Sequence, residues 1–202
     1  MENSFKVKLG SLWFKYRGIA PLPVLFICCF WPSYDVKNFI HLFMFGLIIM
    51  FLGEAGRIWC VGFAGGITRT RTGDLHKLVT TGPFAYVRNP IYIFNIILYI
   101  GSAIILGVPQ LIPLVILYFF IQYTFIVYYE EALLINSFKE AYVLYRTKVR
   151  RWIPSLYIKV VPSDHKFNLQ GALVSEKRTF SSFFAVIIIA VIKFILMIYL
   201  KK

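Results

Sequence analysis

Acidic residues are scarce in this chain: nine Asp and Glu stand against 22 Lys and Arg, for a formal net charge of +13. On a soluble protein that imbalance would point to nucleic acid. No basic-aromatic platform for single strands accompanies it. The positive residues instead cluster between apolar runs, where anionic lipid headgroups are the matching partner, and nucleic acid is not expected. Cysteine is scarce too. Cys28, Cys29 and Cys60 lie in apolar stretches, and an odd count with an adjacent pair makes no disulfide framework. They read as small hydrophobes. There is no zinc-ligand pattern, so no metal site is expected. The glycine-rich stretch Gly62–Asp74, "GFAGGITRTRTGD", lacks the Lys-Ser/Thr ending of a phosphate loop. It reads as a linker, with closure over a ligand as the alternative. No small-residue cleavage site follows the first apolar run, so a secretory signal is not expected. No internal repeat is visible.

What the chain has in quantity is apolar surface. Of its 202 residues 59% are hydrophobic, and the mean hydropathy is +0.71. Five apolar runs stand out: Arg17–Tyr34, broken by Pro21 and Pro23; Asn38–Ala64; Ile91–Gly107; Leu111–Tyr129; and Phe180–Leu200. A spanning helix needs ~20 mostly apolar residues. The expectation is an all-α polytopic membrane protein of about five spans, one domain over 1–202. Lys and Arg set its orientation. Lys6, Lys8, Lys15 and Arg17 precede or open the first run; Arg69, Arg71, Lys77 and Arg88 follow the second; Lys139 to Arg178 follow the fourth. The other connections hold only Lys37. The N-terminus and both polar segments are thus expected on the cytoplasmic side, with Lys201 and Lys202 outside.

The third and fourth runs are joined by Gly107-Val108-Pro109-Gln110, too short for anything but a tight antiparallel hairpin. Counting down both legs at ~1.5 Å per residue brings Glu130 and Glu131 to the level of Asn89 and Pro90. Asn before Pro is a favourable helix start, so the third span is expected to begin there with Asn89 as its cap. Its free N–H groups and Arg88 suit a carboxylate. The paired glutamates suit an ammonium or other cation, so the hairpin end could hold a small zwitterion. The plainer reading is an Arg88–Glu130 ion pair or an arginine reaching for headgroups. Beyond the glutamates, Leu134, Phe138, Tyr142 and Tyr145 share one helical face, as in an amphipathic helix, and Trp152 suits the headgroup level. Glu54 and Arg57, three apart on the second run, are either a helix-end ion pair or a wall of the site. Asn95 and Gln122 are placed to hydrogen-bond across the hairpin.

Two segments carry a resemblance. "HKLVTTGPFAYVRNPIYIF" followed by "YYEEALLINSFKEAYVLYRTKVRRWIP" resembles the integral-membrane methyltransferases of the isoprenylcysteine carboxyl methyltransferase type, a group allied to the phospholipid N-methyltransferases. The match runs from Thr70 to Pro154, with the span at 180–200 beyond it. The resemblance implies S-adenosylmethionine as methyl donor, bound at the cytosolic end of the hairpin. By motif position the cofactor segment comprises His76, Lys77, Leu78, Val79, Phe84, Arg88, Asn89, Pro90, Ile91, Tyr92 and Glu130. Four positions depart from the pattern. Asn89 stands for a histidine, Phe84 for a tyrosine, and Lys139 for a glycine, so a more regular helix is expected at Lys139. Ile126 stands where the prenylcysteine enzymes carry a substrate-linked arginine. That departure leaves the acceptor open.

The leading function is therefore methyl transfer from S-adenosylmethionine to a lipophilic acceptor in the bilayer. Arg88 would hold the methionine carboxylate, Glu130 the ammonium or sulfonium side, and Glu131 is the nearest base should the acceptor be an amine. The sequence does not name the acceptor: a prenylcysteine carboxylate, a phospholipid amine and another lipid all remain open. Readings of another class are a nicotinamide-binding protein like the sterol reductases and a non-catalytic scaffold.

Overall fold

The computed structural model describes residues 5–33, 36–65, 78–155 and 166–200. The helices among them are α1 (Phe5–Lys15), α2 (Leu22–Phe30), α3 (Val36–Ala64), α4 (Pro90–Ile105), α5 (Ile112–Lys148), α6 (Leu169–Ser175) and α7 (Lys177–Leu200). Short 3-10 turns occupy Gly82–Ala85 and Pro109–Leu111, and the described residues contain no strand. Among the described residues three helices are long and apolar enough to cross a membrane: Asn38–Ala64, Pro109–Lys148 and Lys177–Tyr199. The chain is an integral membrane protein. Helix α4, with 16 residues, is apolar but shorter. It rises about 24 Å against a hydrocarbon core of about 30 Å.

The expected first run is not one helix. Helix begins at Phe5, stops at Lys15, and resumes at Leu22 with Pro21 at its N-cap and Pro23 in its first turn. Proline is tolerated at a helix start but breaks a helix interior, so two prolines in three residues divide the segment. The two short helices still follow the bundle from end to end. At one end Lys8 and Ser11 line a cleft with Leu133 and Asn136 of α5. At the other, Ser33 Oγ donates to Leu106 O at 3.2 Å, in the hairpin turn. Lys193 of α7 donates Nζ to the carbonyls of Cys28 at 2.8 Å and Trp31 at 2.9 Å. It thereby satisfies carbonyls that the end of α2 leaves without helical partners.

Helices α3 and α4 pack most intimately, and small residues explain it. A Cβ on Gly46 would lie 2.8 Å from Ile105 N, and one on Gly101 would lie 2.7 Å from Met50 N. Without side chains there the two backbones touch, the usual basis of helix association in a bilayer. The hairpin turns at Gly107, whose φ of +74° suits glycine. Its legs run antiparallel, with Tyr99 stacked on Phe119 at 3.8 Å and Tyr92 on Tyr123 at 4.5 Å. The main core gathers Met50, Leu98, Ile105, Leu106, Val115, Phe119, Tyr123, Ile126 and Phe183 between the helices.

Helix α5 departs from expectation beyond the glutamates. It continues to Lys148, but Lys139 takes φ 45° and ψ −118°, and the helix kinks there. A regular helix was expected because Lys stands where the resembling family has glycine. The chain keeps the glycine-type backbone without the glycine. The residues that were to form one amphipathic face instead close a second small core, in which Leu78, Leu134, Ile135 and Phe138 pack on Tyr142, Tyr145 and Val149.

Candidate active site

The site lies at the end of the bundle opposite the hairpin turn. Pro90 opens α4 as expected. Asn89 precedes it, but its side chain makes no cap hydrogen bond; Nδ2 instead donates to Arg151 O at 3.2 Å. The helix therefore starts because proline fixes its backbone at the first position, not because asparagine closes it. One turn in, the Tyr92 hydroxyl donates to Glu130 Oε1 at 2.7 Å, across 38 positions of sequence. The count down the hairpin legs places these residues correctly.

Glu131 is the hub of the neighbouring contacts. Its Oε1 lies 2.9 Å from Arg88 Nη1. Arg151 meets both its oxygens, Nε at 3.1 Å and Nη2 at 2.6 Å. Glu131 is 8% exposed at the side chain, Arg88 11% and Arg151 26%, so one nearly buried carboxylate holds two guanidinium groups. Burial pulls the Arg151 guanidinium down, but hydrogen bonding and charge from Glu131, with help from Tyr128, outweigh it and raise its pKa. The ion pair expected between Arg88 and Glu130 forms with the next residue instead. Arg88 Nε is buried and finds no hydrogen-bond acceptor among the described residues.

Backbone and side-chain bonds tie the loop before α4 to the chain after α5. Arg88 N donates to Arg150 O at 2.9 Å, Ser155 N to Tyr86 O at 2.8 Å, and the Tyr145 hydroxyl to Phe84 O at 2.7 Å. Phe84 thus meets the second core through its carbonyl. Leu78 packs into that core, while Val79 and Ile91 are half-buried. His76 and Lys77 lie outside the described residues, as do Arg69 and Arg71. Ile126 is fully buried in the main core.

Three partners were not singled out from the sequence. Arg151 closes the quoted segment but sits beside Trp152, in a basic stretch read as facing headgroups. Arg17 leaves the break between α1 and α2, packs its guanidinium 3.9 Å over the Phe14 ring, and acts electrostatically on Glu130. Glu176, fully buried, receives Arg57 Nη2 on both oxygens at 2.9 and 2.8 Å. Arg57 Nε lies farther from Glu54, at 3.8 Å, so the expected local pair is the looser one. Arg57 Nη1 also donates to Asn95 Oδ1. Asn95 therefore turns to Arg57, with the Tyr123 hydroxyl also in range, rather than to Gln122. No cluster of His, Cys, Asp or Glu suited to a metal ion occurs among the described residues.

The chain is 31% identical over 142 residues to the protein-S-isoprenylcysteine O-methyltransferase of Homo sapiens, covering 67% of this chain and 48% of that one. It is 40% identical over 91 residues to the protein of that name from Schizosaccharomyces pombe, covering 44% and 37%. To the nickel-cobalt-cadmium resistance protein NccN of Alcaligenes xylosoxydans xylosoxydans it is 28% identical over 95 residues, covering 47% and 42%. The chain thus spans less than half the length of these curated relatives. No solved structure matches it significantly. The family model for phospholipid methyltransferase matches residues 41–141, half of the 202, and takes in most of α3, then α4, the hairpin turn and α5 through both glutamates and the kink. A hairpin that joins Tyr92 to Glu130 and Arg88 to Glu131 thus lies within that match, and the chain belongs to the phospholipid methyltransferase family.

Proposed function

We propose that the protein transfers a methyl group from S-adenosylmethionine to a lipophilic or amphiphilic acceptor that reaches the site from the bilayer. The carrying observation is the pairing of opposite charges at one hairpin end. Glu130 is held by Tyr92 and lies one residue from Glu131, which fixes Arg88, and Arg88 keeps a buried N–H without an acceptor. That donor set fits the cofactor's amino-acid end, whose carboxylate would meet Arg88 and the opening of α4 and whose ammonium would meet Glu130. Bound there, S-adenosylmethionine would supply an already activated methyl group.

The chain's own task is then to position and to exclude water. Glu131 holds Arg88 in place, and it remains the nearest candidate base should the acceptor be an amine. Tyr142 of the second core lies beside Arg88, Glu131 and Arg151. His76, Lys77, Leu78, Val79, Phe84, Asn89, Pro90, Ile91 and Tyr92 remain its proposed cofactor segment. The distribution of Lys and Arg supports a cytoplasmic site and N-terminus.

A carboxylate acceptor needs no base, as in the O-methylation for which the human and yeast relatives are named. Ile126, buried where the prenylcysteine enzymes carry an arginine, favours weighing a phospholipid amine beside it. Calorimetric titration of S-adenosylmethionine into the detergent-purified protein tests the cofactor, with S-adenosylhomocysteine as competitor. Binding of NADPH in its place would sink the proposal. Lipid mass spectrometry with methyl-labelled donor then identifies the acceptor.

A further inference from the structure

The C-terminal helices α6 and α7 lie outside the family match, yet one of their residues is among the most deeply buried charges in the molecule. Glu176, between them, has 0% exposure and meets Arg57 of α3 through both carboxylate oxygens. Thr179 Oγ1 adds a hydrogen bond to the same carboxylate. Burying a charged pair this completely is costly, and an ionised residue such as Arg57 within a span is by default a candidate functional residue. Helix packing alone does not need them, because Phe51 on Phe183 and Phe39 on Phe194 already join α3 to α7 with ring separations of 5.2 and 4.9 Å.

The contacts from Glu176 lead to the candidate site in an unbroken series. Arg57 bridges Glu176 to Asn95 on α4. Asn95 and Tyr99 both lie within interaction range of the Tyr123 hydroxyl on α5. The Tyr123 ring stacks on Tyr92 at 4.5 Å and 26°. Tyr92 donates to Glu130. We infer that Glu176 and Arg57 are positioning residues for Glu130, acting through Asn95, Tyr123 and Tyr92, so that the C-terminal helix pair completes the site. The consequence for cofactor binding rests on the methyl-donor reading; the ordering of Glu130 does not.

The physical step is simple. Without the Glu176 carboxylate, the nearest anion to Arg57 is Glu54, 3.8 Å from Nε on the same helix. The guanidinium turns toward it and leaves Asn95. Asn95 then no longer fixes the Tyr123 hydroxyl, which Tyr99 alone still meets; the stacked ring loses one of its two anchors, and the approach of Tyr92 to Glu130 loosens.

Two readouts separate this from a merely structural role. The first needs no cofactor. Dicyclohexylcarbodiimide, which reacts with carboxyl groups in apolar surroundings, is applied to the full-length protein in nanodiscs, and adduct formation at Glu130 is timed by peptide mass spectrometry. Tyr92→Phe removes the hydrogen bond directly and sets the scale. Glu176→Gln and the volume-conserving Tyr123→Phe are expected to speed labelling like Tyr92→Phe, by roughly three- to tenfold, the size of one ordinary hydrogen bond. Wild-type rates in both variants, or in Tyr92→Phe itself, overturn the inference. Should Glu176→Gln not fold, Tyr123→Phe still decides. The second readout is S-adenosylmethionine affinity in a double-mutant cycle. Glu176→Gln is expected to weaken binding in the wild-type background and to add nothing to Glu130→Gln; equal weakening in both backgrounds overturns the route through Glu130. A wild-type protein that binds no S-adenosylmethionine would instead refute the methyl-donor reading, while the labelling rates would still decide the series.

Discussion

Two clusters of buried charge among the described residues are built differently. At the open end of the hairpin one carboxylate, Glu131, holds two arginines, Arg88 at 2.9 Å and Arg151 at 2.6 Å. Deeper between α3, α4 and α7 the ratio is reversed. One arginine, Arg57, lies between two carboxylates, Glu176 at 2.8 Å and Glu54 at 3.8 Å. In the first cluster Glu131 is, among the described residues, the one carboxylate that Arg88 and Arg151 meet, so both lose their ion pair if it is neutralised. The second has a substitute within reach and can rearrange. Removing one partner of a buried ion pair costs most where nothing replaces it. A cluster with a spare partner therefore suits adjustment, and one without suits a rigid frame.

The largest effect is expected from Glu131→Gln, which leaves Arg88 and Arg151 together without their carboxylate. Arg151 keeps 26% exposure, so the loss should fall near the lower end of the range for broken buried pairs, about 3 kcal/mol. A thermal unfolding midpoint in detergent close to wild type would remove the distinction between the clusters. Next comes Glu130→Gln, directed at the adjacent residue but at a different property. Its unfolding midpoint should stay near wild type, while S-adenosylmethionine affinity falls by about 1.5–3 kcal/mol, or roughly ten- to hundredfold. Indistinguishable binding losses in the two variants would show that the glutamates do not divide the work.

Glu176→Gln sharpens the comparison from the other side. Glu54 can take over part of the charge on Arg57, so stability should drop by only about 1–2 kcal/mol. The double variant Glu54→Gln, Glu176→Gln should then lose clearly more than the two single losses added, which unfolding curves of the four proteins would reveal. The smallest effect has the opposite sign. Lys139→Gly relieves a backbone held at φ 45°. Offset by the greater freedom of glycine in the unfolded chain, it should stabilise by about 1 kcal/mol, or raise the midpoint by about 2–4 °C. A lowered midpoint would mean that the kink is not strained.

The hairpin was the most legible part of the sequence because its geometry is local. A four-residue turn and a fixed rise per residue suffice to bring Tyr92 to Glu130. The break of the first apolar run was visible in Pro21 and Pro23, although the helix before it starts earlier than the apolar run suggests. Partners brought in by connections of free length were not legible. Arg151 lies 20 positions from Glu131 and past the kink at Lys139, so no periodicity predicts its reach. Glu176 lies 119 positions from Arg57. Arg57 was noticed because an ionised residue in a span needs a partner, and Glu54 was the partner the sequence offered. Lys139 misled in another way. A substituted glycine was expected to regularise the helix, but the packing of Tyr142 and Tyr145 on Leu78 keeps the bend.

The interval between Arg57 and Glu176 has a consequence for synthesis. A chain made from its N-terminus delivers α3 to the bilayer long before residue 176 exists. An arginine entering alone would be an uncompensated charge in hydrocarbon for all that time. Glu54, three residues earlier on the same helix, arrives first and travels with it. The looser of the two contacts in the finished protein is thus the one available during insertion, a chaperone written into the helix itself. A glycosylation-reporter assay on α3 alone would register it as poorer insertion of Glu54→Gln than of wild type, in a segment that has never met Glu176.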